Sequence, residues 1–198
     1  MIRDKNIAWE RKRVFLPAFS MLGVLADAAQ GAGAPVFGAD LAATELVGLV
    51  MAAAGDEVYT MWPIPWDLDR DYPIRLRLWF SHGSTDTDDP DWLVSLKGIA
   101  KQAALTDAAS TPDDAIAFAA KAVSATANSL EILDWEVTTS ETWLTALDRA
   151  LLIATECNGL GSAEITEILL YGLEIEYTVK ATGDSNKREI TTNAPVAS

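Results

Sequence analysis

The feature that most constrains this chain is a two-residue alternation over residues 71–83, DYPIRLRLWFSHG. One set of alternate positions is apolar and comprises Tyr72, Ile74, Leu76, Leu78 and Phe80. The positions between them hold Arg75, Arg77, Trp79 and Ser81. Because successive side chains of a β-strand point to opposite faces, this pattern predicts a strand with one face on a core. Aspartates on both sides of the segment predict solvated turns.

Four further segments alternate in the same way and are predicted as strands: residues 57–65, 92–101, 133–137 and 169–178. In the last of these, one shared face is expected to hold Leu169, Tyr171, Leu173, Ile175 and Tyr177. Turn residues separate the strands, which is typical of a sandwich or barrel rather than of βαβ units. The sequence therefore predicts a mainly β fold.

Three other segments are less clear. Residues 41–54 fit a short helix or a buried strand equally well. The run Thr111-Pro112-Asp113-Asp114 resembles a helix start, so a short helix is predicted near residues 112–123. Its buried face would comprise Ile116, Ala119, Ala120 and Val123. Residues 142–157 fit a helical stripe or a fully buried strand, and the spacing alone favours a helix.

The chain is predicted to have three parts: an N-terminal arm and Gly/Ala-rich linker over residues 1–40, a sandwich domain over 41–180 and a polar tail over 181–198. The apolar run 14–25 behind basic residues imitates a signal peptide, but Asp4 and Glu10 interrupt the basic region, so it is interpreted as part of the fold. No apolar run reaches the roughly 18 residues of a membrane span, so no membrane association is predicted.

The formal net charge is -14, with 15 basic and 29 acidic residues. Such a surface repels phosphate backbones, which argues against a nucleic-acid partner. The first thirteen residues nevertheless carry +3, which leaves -17 for the rest. A basic arm on an acidic body predicts docking on an acidic neighbour or on a second copy; a solvated terminus is the alternative. The arm residues predicted to bind a partner are Arg3, Lys5, Trp9, Arg11, Lys12 and Arg13.

No catalytic group is predicted. His82 is the only histidine, and its close neighbours Ser84 and Asp86 are too near in sequence for a triad, so it is interpreted as an exposed turn residue. Cys157 is the only cysteine and is interpreted as a small buried hydrophobe. The chain has no glycine-rich phosphate loop, dinucleotide fingerprint or His/Cys metal spacing, so no cofactor is predicted.

Two binding hypotheses come from residue type. Asp67, Asp69 and Asp71 have the spacing of the first calcium-loop ligands, but Tyr72 stands where glycine is required, so no calcium site is predicted. Seven tryptophans invite a sugar-stacking interpretation; the candidates are Trp62, Trp66, Trp79 and Trp92. Core and interface packing is the favoured interpretation of these indoles.

The run VYTMWPIPWDLDRDYPIRLRLWFSHGSTDTDDPDWLVSLKGIA and the later ITEILLYGLEIEYTV resemble tailed-phage virion structural proteins over about residues 55–179. The resemblance implies a jelly-roll β-sandwich of the capsid decoration (cement) or head-fibre type, commonly a trimer. It also implies that LDRALLIATEC is a strand, against the spacing argument. The Ala-rich residues 112–128 depart from the pattern.

The hypothesis is therefore a non-enzymatic bacteriophage protein, assembled in the host cytoplasm, that binds the major capsid protein lattice as a homo-oligomer. The alternative is a carbohydrate- or receptor-binding module of a head fibre or tail. On the sandwich itself, Arg75 and Arg77 have the same spacing as Glu174 and Glu176 and are predicted to pair with them or to face a partner.

Overall fold

The computed structural model describes residues 10–23, 36–38, 48–83, 90–102, 114–118, 123–137, 144–160 and 168–180. Within them the chain forms a short 3₁₀ helix, Ala18–Ser20, and eleven β-strands. In chain order the strands are β1 Arg11–Pro17, β2 Leu22–Gly23, β3 Val36–Gly38, β4 Gly48–Met51, β5 Asp56–Pro63, β6 Ile74–His82, β7 Asp91–Ala100, β8 Asp114–Phe118, β9 Glu131–Val137, β10 Asp148–Gly159 and β11 Ile168–Thr178.

Strands β4 to β11 pair as one long nested hairpin. β4 pairs with β11, β5 with β10, β6 with β9 and β7 with β8, all antiparallel. Two further antiparallel pairings, β11 with β6 and β10 with β7, roll this hairpin into two sheets. Sheet A has the order β3-β4-β11-β6-β9, and sheet B has the order β2-β5-β10-β7-β8. This connectivity is the jelly-roll β-sandwich, so the predicted fold class is confirmed.

Three short N-terminal strands extend the two sheets. β1 pairs with β11 over residues 172–178, on the same edge of β11 to which β4 pairs over residues 168–170. β2 adds to the edge of β5, and β3 adds to the edge of β4. Ala18 and Met21, between β1 and β2, are buried in the core. The first part of the chain therefore contributes to both sheets; the division at residues 40 and 180 stays a prediction.

The core lies between the sheets and follows the predicted alternation. On β6 the side chains of Ile74, Leu76, Leu78 and Phe80 are fully buried. On sheet B the inward residues include Val58 and Trp62 of β5 and Trp92 of β7, whose ring stacks against that of Phe80 at a centroid distance of 5.3 Å. The predicted strands over residues 57–65, 71–83, 92–101 and 133–137 are thus confirmed to within a few residues.

The helix predicted near residues 112–123 is wrong. Asp114–Phe118 is a strand whose backbone pairs with Trp92 to Leu96 of β7. The helix-start motif and alanine content are local preferences, which a ladder to a distant strand overrides. Residues 142–157 are likewise not helical where described from Asp148 onward: β10 occupies the centre of sheet B between β5 and β7. A strand at the centre of a sheet is buried along most of its length, so its sequence is a continuous apolar run in which the two-residue alternation of a strand cannot be recognised.

The face predicted for the last strand changes part of the way along it. The register between β11 and β6 shifts between Leu170 and Gly172, where Tyr171 is the extra residue of a bulge. Beyond the bulge Leu173, Ile175 and Tyr177 face the core as predicted, but before it the core residues are Ile168 and Leu170. A bulge shifts the two-residue period by one, so Leu169 and Tyr171 do not share the predicted face.

Candidate binding surfaces

The outer face of sheet A carries a charge ladder whose sign alternates from strand to strand. Its members are Arg11 and Arg13 on β1, Glu174 and Glu176 on β11, Arg75 and Arg77 on β6, and Asp134 and Glu136 on β9. The sequence predicts that Arg75 and Arg77 pair with Glu174 and Glu176, because the two charge pairs have the same spacing. In the structure their strands are adjacent, with Glu174 opposite Arg77 and Glu176 opposite Arg75.

Glu176 is the centre of the ladder. Its side chain is 4% exposed and accepts hydrogen bonds from Arg11 Nη1 at 2.9 Å, Arg13 Nε at 2.8 Å and Arg77 Nη2 at 3.2 Å. Arg77 also donates to Glu174. Arg75 is within 3.1 Å of Asp134 on β9 through Nε, so its ion pair lies across the other flank of β6. The carboxylate thus joins β1, β11 and β6 at one point.

The titration behaviour of Glu176 reflects this environment. Burial by itself raises the pKa of the carboxyl, but the hydrogen bonds from Arg11, Arg77 and Arg13 outweigh burial and lower the pKa of Glu176 below its usual range. The carboxylate therefore stabilises the fold only while it is ionised.

The N-terminal residues predicted to bind a partner do not lie together on one surface. Arg3, Lys5 and Trp9 lie outside the described residues. Arg11 and Arg13 belong to the charge ladder, while Lys12 projects from the other face of β1 and its Nζ lies 2.6 Å from Asp67 Oδ2. That hydrogen bond raises the pKa of Lys12. The three basic residues of β1 therefore hold the strand to the body of the same chain.

The root of the arm lies beside an exposed tryptophan. Glu10, the residue before β1, accepts a hydrogen bond through its carbonyl from Val179, and the Lys180 N–H donates to Asp67. Trp66, directly before Asp67, is 83% exposed. The same turn reaches the start of β10, because Arg70 Nη2 donates to the carbonyl of Asp148 at 3.0 Å.

Next to Asp148 is Leu147, which is 70% exposed. We call this region, comprising Trp66, Asp67, Arg70, Leu147 and the start of β1, the arm end of the sandwich. Leu147 was not predicted as a surface residue, because the helical alternative for residues 142–157 places it on a buried stripe. Large exposed apolar side chains grouped at one place on a surface are typical of a protein or ligand contact.

A second apolar group borders the charge ladder. Phe15 is 46% exposed, lies over Gly172 and packs edge-on against Trp79 with a centroid distance of 5.9 Å. Ile132, opposite Trp79 on β9, is 37% exposed. The exposure of Ile132 could have been predicted from the sequence, because it lies at an even-numbered position of a strand whose odd-numbered residues Leu133 and Val137 are in the core.

The tryptophans proposed to stack on sugars do not form one platform. Trp62 and Trp92 are 2% and 1% exposed and belong to the core, in agreement with the favoured packing interpretation and against the sugar-stacking one. Trp79 is half-buried beneath Phe15. Only Trp66 among the four presents most of its ring to solvent.

The two residues considered for catalysis lie in the core. His82 ends β6 on its inward face and is fully buried, so its interpretation as an exposed turn residue is wrong; the strand continues two residues beyond the last large apolar side chain. Cys157 is fully buried as predicted, and burial raises the pKa of its thiol to about 12. A thiol so protonated is a poor nucleophile.

The cleft at the end of the charge ladder is shallow and polar. It is lined by Arg11, Tyr72, Pro73, Arg75, Glu136, Glu176, Tyr177 and Thr178. Among the described residues no three His, Cys, Asp or Glu side chains are close enough together to hold a metal ion. In the same part of the chain no helix is sufficiently long and apolar to cross a membrane.

Comparison with known proteins adds no family. No protein-family model matches the sequence, and no curated protein matches it either. Some solved structures are similar to it over most of the chain. The CBM36-1 domain of a multidomain xylanase from the hindgut metagenome of Trinervitermes trinervoides is 10% identical, with 83% of this chain and 96% of that chain covered and a TM-score of 0.46.

Two further structures illustrate the range of these likenesses. The xylan-binding module CBM15 is 10% identical over 87% of this chain and all of its own, with a TM-score of 0.46. The Tobacco streak virus coat protein is 11% identical over 92% of each chain, with a TM-score of 0.30. Identities and scores of this size carry no functional information. The protein is a jelly-roll β-sandwich whose described residues present exposed apolar side chains at the arm end and beside the charge ladder.

Proposed function

We propose that this chain is a non-enzymatic virion structural protein of a bacteriophage, a capsid decoration protein that binds the major capsid protein lattice as a homo-oligomer, with a trimer favoured. The observation that carries the proposal is the arm end, where exposed Trp66 and Leu147 adjoin the root of the N-terminal arm. The resemblance of residues 55–179 to tailed-phage virion proteins supplies the class of partner.

The anchoring of β1 supports this role. If a decoration protein binds the capsid through an N-terminal arm, the arm must be held firmly to the rest of the protein. β1 is joined to β11 along its whole length, and its two outer arginines converge on the buried Glu176. With Arg11, Lys12 and Arg13 engaged inside the chain, Arg3, Lys5 and Trp9 are the arm residues proposed to contact the capsid.

Truncation tests the arm. Removing residues 1–19 would delete β1 and the buried Ala18, so loss of binding would not distinguish the arm from the fold. Removing residues 1–9 leaves β1 complete. We expect this shorter truncation to weaken binding to shells while the melting temperature stays unchanged; binding equal to that of the full chain would show that the arm has no such role.

Trp66→Ala tests the body. We expect the variant to bind shells about thirtyfold more weakly, because a central interface tryptophan contributes about 2 kcal/mol or more. The measurement is co-sedimentation with particles of the encoding virus that lack this chain. Phe19→Ala is the matched control, since Phe19 is 73% exposed but lies after the other end of β1. Equal affinity of both variants and the unchanged protein would exclude the arm end as the capsid contact.

The second candidate function is a carbohydrate- or receptor-binding module of a head fibre or tail. Its supporting observation is again the exposed indole of Trp66, since an accessible aromatic face can stack on a pyranose ring. A glycan array distinguishes the two functions. Binding that is lost in Trp66→Ala but retained in Phe19→Ala supports the module, whereas an array without signal, together with shell binding, supports decoration.

A further inference from the structure

Two edge strands of sheet A, β1 and β9, carry opposite charges. Among the described residues β1 pairs only with β11, and β9 pairs only with β6. The outer face of β1 carries Arg11 and Arg13, whereas that of β9 carries Asp134 and Glu136, all exposed. We propose that the β9 edge of one copy binds the β1 edge of a second copy, continuing sheet A across the two molecules.

The strand directions suit this pairing. Each neighbour along β1, β11, β6 and β9 is antiparallel to the previous strand, so β1 and β9 run in opposite directions. A second copy that continues the sheet therefore places its β1 antiparallel to β9, which is the pairing used throughout this sheet.

The free backbone groups can be identified by counting along the ladders. The carbonyl of Glu10 accepts from the N–H of the opposite residue, Val179, so even-numbered residues of β1 bond to β11. The N–H and C=O groups that point to the open edge of β1 then belong to Arg11, Arg13 and Phe15. The same alternation continues across the sheet: even-numbered residues of β11 bond to odd-numbered residues of β6, and even-numbered residues of β6 bond to odd-numbered residues of β9. The backbone N–H and C=O groups at the open edge of β9 therefore belong to Ile132, Asp134 and Glu136.

One register matches these two sets of three completely. Antiparallel pairing places Glu136 opposite Arg11, Asp134 opposite Arg13 and Ile132 opposite Phe15 of the second copy. Both pairs bring opposite charges together and extend the charge ladder, in which Arg11 and Arg13 already contact Glu176 and Asp134 already contacts Arg75. The two exposed apolar residues cover one another beside Trp79. Directly opposed pairs of these kinds stabilise a sheet by about 0.2–1 kcal/mol each, in addition to the new backbone hydrogen bonds.

The charges also exclude other pairings. Exposed edge strands usually carry charges that keep them apart. Two β1 edges would bring arginines together, and two β9 edges would bring carboxylates together, so each of these edges repels its own kind and favours the other. A contact between different surfaces of identical subunits is head-to-tail, and it closes into a ring or extends as a filament. A ring of three would be the trimer of the proposed function.

The first test uses the isolated protein, so its failure is distinct from a failure to bind capsids. We expect Ile132→Lys to lower the native mass to that of a single chain, because it replaces the apolar contact with Phe15 of the second copy by a charge on the β9 edge. Leu147→Lys is the matched control, with an exposed leucine outside both edges, and should keep the native oligomer. Far-UV circular dichroism checks that both variants are folded. An oligomer that survives Ile132→Lys, or an unchanged chain that is monomeric at high concentration, overturns the proposal.

The second test fixes the register by disulfide trapping. Opposite residues in a hydrogen-bonded antiparallel pair have Cα atoms about 5.5 Å apart, within the usual disulfide range. An equimolar mixture of Arg11→Cys and Glu136→Cys proteins should form a covalent dimer on oxidation, and neither protein alone should do so. Buried Cys157 does not interfere. Substituting Arg13→Cys for Arg11→Cys should reduce the yield severalfold; equal yields, or no dimer from either mixture, overturn the register.

Discussion

Glu176→Gln is expected to destabilise the protein by about 3 kcal/mol, because removing one partner of a buried ion pair leaves the opposite charge uncompensated. Three arginines converge on this carboxylate, and Arg77, at 13% exposure, has the least freedom to turn to solvent. Urea unfolding in dilute solution measures the difference. Glu136→Gln is the matched control on the same face of the sheet, where the exposed side chain is expected to change stability by less than about 0.5 kcal/mol. Equal losses in both variants would show that Glu176 does not join the strands.

The same pair of proteins gives a pH test. The pKa of Glu176 is lowered in the folded chain, so its contribution to stability is complete above the usual carboxyl value of 4.5 and is lost as the pH falls through the lower folded value. The difference in unfolding free energy between the unchanged protein and Glu176→Gln should therefore be largest near neutral pH and should narrow in acid. A difference that is constant with pH would contradict the ion-pair explanation.

Gly172→Ala is expected to destabilise the protein by about 2–3 kcal/mol, in the upper range for overpacking, and to loosen β1. A Cβ atom at this position would lie 2.5 Å from the carbonyl oxygen of Leu16 and 2.8 Å from the ring of Phe15. Because the first contact is to the backbone of β1, a side-chain rotation cannot relieve it. Hydrogen exchange should show faster exchange at Lys12 and Val14, whose N–H groups bond to β11.

Gly159→Ala is the control for this substitution. Gly159 also lies in a strand, but a Cβ there would meet Asp91 at the ordinary distance of 3.6 Å. The control should leave stability nearly unchanged or slightly increased, since alanine restricts the unfolded chain more than glycine does. Protection of β1 that is the same in both variants would show that β1 does not depend on close approach to β11.

Some of the candidate surface could be predicted from the sequence. The equal spacing of Arg75 and Arg77 with Glu174 and Glu176 was visible, because charges on one face of a strand recur every two residues. The role of Asp134 in the charge ladder could not be predicted, because nothing in the local sequence shows that β9 pairs with β6. The sequence predicts residues 11–13 as a contact for another molecule. It could not show that Arg11 and Arg13 also bind the buried carboxylate of Glu176, because that residue lies 165 and 163 residues further along the chain.

The mainly β class and the half-buried strands follow from the sequence alone, because a strand with one face on a core shows its burial as a two-residue period. The apolar sequence around Cys157 likewise predicts its burial. In contrast, the strands at residues 114–118 and 148–159, the bulge at Tyr171 and the burial of His82 follow only from the tertiary structure. Each depends on a partner strand distant in sequence or on the packing of one sheet against the other. The order of the strands also determines which edges of sheet A are open, and with them the complementary charges of β1 and β9.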